Sequence, residues 1–164
     1  MKSLSKAIFY IKYYAKKHNK IIERQATLND DCYEGVHKVF GYPYKKYFDL
    51  EVKAQDTAFE AIRPGAKCCD IELAVNKFLE KNDLYSLTRT HIGHALGMEG
   101  HEAPFFDVGD ETVLKPGMVM SVEPCLFIPG YAGFRHSDTI VVTEDGMEMI
   151  TNYPRDIENL TVEV

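Results

Sequence analysis

The chain has 164 residues, 45% of them apolar and 27% charged, and a net charge of −6. That length fits one domain with a sizeable core. No apolar run approaches the about 18 residues that a membrane span needs, which argues against a membrane partner. The charge is uneven: residues 1–29 hold seven Lys or Arg against Glu23 alone, a surplus of +6, which leaves −12 for residues 30–164. An acidic body argues against nucleic acid as the main partner.

The composition breaks near Asn29-Asp30-Asp31. We therefore divide the chain into an atypical basic amphipathic segment, 1–30, and a body, 31–164. In the first, Leu4, Ile8, Ile11 and Ala15 recur at helical spacing behind a Ser3 cap, which predicts an amphipathic helix over 3–18. Packing on the body is the simplest role for its apolar face; a lipid surface or a partner is the alternative. The run Ala7 to Ile11 is too short for a secretory core, while a basic start leaves an organellar leader open. Cys32, Cys68, Cys69 and Cys125 show no C-x-x-C spacing, as expected of reduced thiols in the cytoplasm.

Residues 19–43 carry Gly35 and a Gly41-Tyr42-Pro43 turn, with a short strand over 36–40. Residues 45–62 predict a helix with Phe48, Val52, Phe59 and Ile62 on one side and polar Gln55 interrupting the stripe. Arg63-Pro64-Gly65 stops it. Asp70 caps a second helix with Ile71, Ala74, Val75 and Phe78 inside, ending at Asn82-Asp83. From residue 88 the pattern becomes strands and turns. Met118 to Val122 is a strand, apolar except for Ser121, and Thr139 to Thr143 turns through Glu144-Asp145-Gly146 into Met147 to Thr151. Helices followed by an antiparallel sheet make an α+β class.

Three windows carry the chemistry. Residues 90–104 hold His91, His94 and His101 with Glu99, Glu102 and three glycines. On a helical turn His91 and His94 would face the same way. The glycines make a regular helix costly and suggest backbone passing close to something. Histidines beside carboxylates suit a metal site or metal-free acid–base work; a purely structural cluster is the plain alternative. Glu123 stands between Val122 and Pro124 at the end of a buried strand, where a carboxylate needs an ion, a hydrogen bond or a partner such as Arg135. Arg135 and Asp138, in the window Gly133 to Thr139, otherwise read as a structural ion pair.

Together these windows resemble the creatinase/prolidase/methionine aminopeptidase superfamily, whose fold is called pita-bread. The shared motifs are Gly93 to Gly97, His101 to Pro104, Leu114 to Pro124, Gly133 to Gly146 and the helix end Ala61 to Gly65. The Tyr153 to Asp156 ending looks like Xaa-Pro peptidase-like and creatinase-like members. The likeness runs from about residue 40 to 164 and implies a partial or truncated pita-bread fold, with helices on a curved antiparallel sheet. It implies a C–N bond hydrolase acting on a small peptide, amide or amidine, or a catalytically inactive remnant kept for binding or dimerisation. Members are commonly homodimers, and an exposed sheet edge would invite one.

In the family's metallopeptidases two Asp, one His and two Glu hold two divalent ions, usually Mn, Co or Zn. The resemblance puts His94 on the His ligand and Glu123 on the first Glu ligand. It puts His101 on a histidine that contacts substrate and helps proton transfer, and His91 on another substrate-side histidine. Arg135 or His136 would pair a substrate carboxylate. The departures are plain: Ser137 stands where the second Glu ligand should, and no Asp pair about eleven apart precedes the helices. Glu23 and Glu34 have that spacing but not the surroundings. With two ligands of five, a dinuclear site is not expected, and the metal-free route that creatinase uses is open. A mononuclear site on His94, His101 and Glu123 is the third possibility.

Overall fold

The computed structural model describes residues 44–88, 91–129 and 132–157. The chain divides into two units, Met1–Tyr44 with Thr161–Val164 and Lys45–Leu160, and all but the first residue of the fold lies in the second. The helix expected over 3–18, the strand over 36–40 and the break near residue 30 fall outside the described residues.

The first described element is helix α1, Tyr44–Ala61. Its buried face is not the expected stripe. Glu51, Ala54, Gln55, Ala58 and Ile62 are inaccessible, whereas Phe48, Val52 and Phe59 are only half-buried. The spacing i, i+3, i+4, i+7 is helical, but the face sits one position round from the aromatic one. Two alanines let the helix approach closely, and two polar side chains have partners on distant strands. The helix ends as expected: Ile62 still donates to the Ala58 carbonyl at 3.0 Å, then Pro64 intervenes and Gly65 turns with φ +87.

Helix α2, Cys68–Lys81, starts two residues before the expected cap. Lys67 occupies the cap position without a side-chain bond, and Asp70 lies in the first turn, where a carboxylate still favours the helix dipole. Its amino end is anchored by backbone instead. Cys68 and Cys69 donate to the carbonyls of Thr112 and Asp110, and Gly65 and Leu114 exchange bonds across the same ladder through Ala66. Cys68, Ile71, Val75 and Leu79 are buried as the helix's inner face, with Glu72 and Asn76 beside them; Ala74 and Phe78 of the expected stripe are half-buried. Burial pushes the Cys68 thiol up to about 12, so it is an inert core group. The helix ends at Asn82, followed by Asp83 in the left-handed region and one 3-10 turn, Tyr85–Leu87.

Seven strands follow: β1 Gly93–Ala95, β2 Glu102–Phe105, β3 Val119–Val122, β4 Cys125–Ile128, β5 Ala132–Arg135, β6 Asp138–Val142 and β7 Met147–Met149. Five form an antiparallel sheet in the order β2-β1-β3-β6-β7, and β4 pairs with β5. The turn at Pro116-Gly117, with Gly117 at φ +86, feeds β3, and the β6–β7 hairpin closes on the Thr143 hydroxyl. Registration fixes the faces. Across β1, β3 and β6, His94 pairs with Ser121 and Ser121 with Thr139, while Gly93 pairs with Val122 and Val122 with Asp138. Side chains opposite each other share a face. One face of the sheet therefore carries His94, Ser121 and Thr139. The other carries Val122 and Asp138 and lies under α1. Met120, Val122, Ile140, Phe106 and Ile92 are fully enclosed, each worth roughly 2 kcal/mol of apolar burial.

Candidate active site

The row His94, Ser121, Thr139 forms one wall of a cavity of about 520 Å³. His91, Leu96, Gly100, His101, Glu123, Arg135 and Ser137 complete it. Three segments distant in sequence thus meet as expected. They do so on extended backbone: His94 is in the middle of β1, and His91 reaches the cavity from just before it.

His94 is buried, at 4% exposure. Its Nδ1 lies 3.0 Å from the Ala95 carbonyl. A carbonyl only accepts, so that bond assigns a hydrogen to Nδ1. Nε2 then faces the Glu123 carboxylate Oε1 at 3.4 Å, an ion pair whenever His94 is protonated. Next to it, the Nε2 atoms of His91 and His101 are 3.3 Å apart, so this pair shares one hydrogen. The rings of His94 and His101 overlap with centroids 3.9 Å apart, and Phe105 flanks His91 and His101 at 5.1 and 5.4 Å. Burial, followed by the nearby charges of His101 and His94, lowers the His91 pKa and favours its neutral form.

Glu123 Oε2 collects three donors. Arg135 Nη2 lies at 2.5 Å, Ser137 Oγ at 3.1 Å and Ser121 Oγ at 3.2 Å. Burial pushes this carboxyl up, but the Arg135 charge, the Ser137 hydroxyl and His94 outweigh it and hold the pKa below its ordinary value. The Glu123–Arg135 partnership is the one expected from the sequence. The other expected pair, Arg135–Asp138, does not form: Asp138 lies 3.3 Å from Arg155 Nε and accepts the Thr151 hydroxyl at 2.6 Å. Alternation is the reason, because 135, 137 and 139 face the cavity and 136 and 138 face α1. The same alternation corrects the expectation for His136. It does not line the cavity; its Nε2 is enclosed, 3.4 Å from Asp138 Oδ2. Ser121 was visible in the sequence only as the polar interruption of a strand.

The donor set departs from the family's ligand pattern. Among the described residues no group of three or more His, Cys, Asp or Glu is arranged to hold a metal ion. His94 and Glu123 are adjacent, but Glu123 Oε2 is already engaged by a guanidinium and two hydroxyls, and a serine stands where a second carboxylate would bridge. The described residues therefore do not fit a dinuclear centre, nor the three-donor site on His94, His101 and Glu123.

An α+β body of this topology has the pita-bread fold, and the comparisons bear that out. The dipeptidase PepE from Mycobacterium ulcerans superposes with a TM-score of 0.67 at 32% identity, over 69% of this chain and 30% of that one. The probable dipeptidase PepE of Mycobacterium tuberculosis is 38% identical over 110 residues, which is 67% of this chain and 29% of the relative. The Xaa-Pro dipeptidase of Pyrococcus furiosus is 33% identical over 122 residues, 73% of this chain and 35% of the relative. Residues 35–144 match the model of metallopeptidase family M24, and the chain belongs to that family. It spans about a third of the length of these curated relatives.

Proposed function

We propose that the chain carries the carboxy-terminal part of a C–N hydrolase of the Xaa-Pro dipeptidase or creatinase kind, with its metal site reduced to His94 and Glu123. The observation that supports this reading is the His94 Nε2–Glu123 Oε1 approach of 3.4 Å, on the wall of one cavity with the His91–His101 pair. The substrate is a small peptide, amide or amidine. Its carboxylate pairs with Arg135, whose side chain stays 55% exposed while bonded to Glu123. A water adds to the scissile carbon and gives its proton to the His91–His101 pair, at Nδ1 of the ring that donates the shared hydrogen. The C–N bond breaks as His94 delivers the proton at Nε2 to the leaving nitrogen. Glu123 stabilises the charged imidazole, and Arg135 keeps Glu123 ionised.

The test is hydrolysis of Xaa-Pro dipeptides and of small amides and amidines, with chelator and with added Mn. Turnover is expected in both conditions, falling about a hundredfold or more in His94→Ala. No turnover of any of these, or turnover that strictly needs metal, overturns the reading. The first outcome would favour a binding module on the same fold. The same reading includes a cytoplasmic homodimer, with 1–30 a segment distinct from 31–164. Among the described residues β2 and β7 end the sheet without a neighbour, and such edges favour pairing. Light scattering is expected to give twice 18.7 kDa; a monomer at high concentration would count against the dimer.

A further inference from the structure

The face of the sheet away from the cavity carries a second set of enclosed polar groups, none of which the proposed chemistry uses. Gln55 Nε2 donates to the Val122 carbonyl at 2.8 Å and to the His136 carbonyl at 3.2 Å. Glu51 Oε1 accepts the His136 amide at 2.9 Å. Both backbone groups of His136 are thus held by two side chains one turn apart on α1. Arg155 fixes the amide's orientation: its Nη2 and Nε donate to Gln55 Oε1 at 2.6 and 3.0 Å. With the guanidinium on the oxygen, the Gln55 amide nitrogen faces the two carbonyls. Arg155 is itself tied to Asp56 at 2.7 Å.

What these bonds hold matters more than what they are. Val122 immediately precedes Glu123. His136 stands between Arg135 and Ser137, and both of those donate to Glu123 Oε2. Each clamp point is one residue from a group in the cavity, on the opposite side of the backbone. We infer that Glu51 and Gln55 are positioning residues: they fix the end of β3 relative to the 135–137 link and so hold Arg135 and Ser137 on Glu123. This inference rests on the geometry of the Glu123 cluster, and would stand without the hydrolase reading.

The clamp also has a protonation state. Burial pushes the Glu51 carboxyl up to about 8, against the His136 amide and the charge of Arg155, with Asp138 adding to the rise and Arg135 opposing it. Glu51 is therefore a neutral acid at neutral pH. Its Oε2 is enclosed without a hydrogen-bond partner, as are His136 Nε2 and Asp138 Oδ2. A neutral carboxyl tolerates that setting better than an anion does. Ionisation puts a second negative charge near Asp138, under the link that carries Arg135. The clamp is expected to hold below this pH and to loosen above it.

Nitrogen-15 NMR of the full chain between pH 6 and 10 tests this. The His136 amide and the Arg135 Nε–H are the reporters. Both are expected to shift with one midpoint near the Glu51 value of about 8. Glu51→Gln keeps the acceptor for the His136 amide and should retain the low-pH positions of both signals while abolishing the titration. Glu51→Ala should displace both at every pH. A His136 amide that titrates while Arg135 stays still would confine Glu51 to a local structural role and overturn the inference. So would Gln and Ala variants that are indistinguishable at Arg135. The wild-type titration needs no variant to fold. Coupled titration in a protein that hydrolyses nothing supports the clamp and overturns only the hydrolase reading. If there is turnover, its loss at high pH should vanish in Glu51→Gln.

Discussion

Gly93→Ala is expected to cost about 3 to 4 kcal/mol of folding stability, because the added methyl has nowhere to go. A Cβ at Gly93 would lie 2.2 Å from the Ser121 carbonyl oxygen and 2.6 Å from Phe106 Cδ2. The first obstacle is backbone of the adjoining central strand, where Gly93 pairs with Val122 and His94 with Ser121. The second is the most enclosed aromatic of the core. Neither can yield alone: moving β1 off β3 breaks the ladder, and moving Phe106 empties the core. The same displacement carries His94 away from Glu123. Two other glycines of the same window serve as controls. At Gly97 the methyl would meet only the Glu102 carboxylate, at 2.1 Å, the far end of a side chain that can swing aside at the loss of its bond from the Glu99 amide. At Gly100 it meets nothing within 4 Å. Urea unfolding should therefore give a large loss for Gly93→Ala, about 1 kcal/mol for Gly97→Ala and no change for Gly100→Ala. Equal losses at all three would mean that backbone freedom, and not close approach, explains the glycines.

That contrast marks what could be read from the sequence. The clustering of glycines pointed to close backbone approach, and at Gly93 that is the case. Which glycine makes the approach depends on β3, nearly thirty residues on, and spacing within the window carries no information about it. The three windows were legible because their motifs set the strand ends, and so were the turns at Pro64-Gly65 and Pro116-Gly117, where local backbone chemistry decides. The buried face of α1 was not. Glu51 looks like a solvent-side residue and Gln55 like a flaw in the stripe, since their partners Val122, His136 and Arg155 lie far along the chain. The polar break that Gln55 makes in the apolar stripe was the available signal. Likewise, the motif leaves Arg135 and His136 as alternatives for a ligand, and alternation decides between them. On extended backbone only one of two neighbours can face a given side, and His136 faces the helix.

The same enclosed carboxyls set the second large effect: stability should fall as pH rises from about 5 to about 9. Glu51 is pushed up to about 8 and Glu72 to about 7, each chiefly by burial. Glu72 accepts the Ile92 amide at 3.1 Å, which with Asn76 opposes the rise while Asp107 adds to it. Both groups hold their proton in the fold at pH values where the unfolded chain, near its ordinary value of 4.5, has released it. The folded state then binds more protons, so the slope of stability with pH is negative. The contribution is complete below 4.5 and is lost progressively up to about 7 for Glu72 and about 8 for Glu51. By linkage the loss is roughly 3 to 5 kcal/mol for Glu51 and roughly 2 to 3 for Glu72. Three groups run the other way. Glu123 and Asp110, held low, stabilise above their unfolded values and lose that as pH falls; His91, also lowered, adds stability as pH rises to 6.5. They place the maximum on the mildly acidic side without reversing the alkaline decline, because the two enclosed carboxyls have the larger shifts. Calorimetric scans from pH 4 to 9 should show Tm falling by roughly ten degrees or more above the maximum. The double variant Glu51→Gln with Glu72→Gln, which keeps both amide acceptors, should flatten that limb. A decline of the same size in the double variant would assign it to other groups and leave both glutamates ionised in the fold.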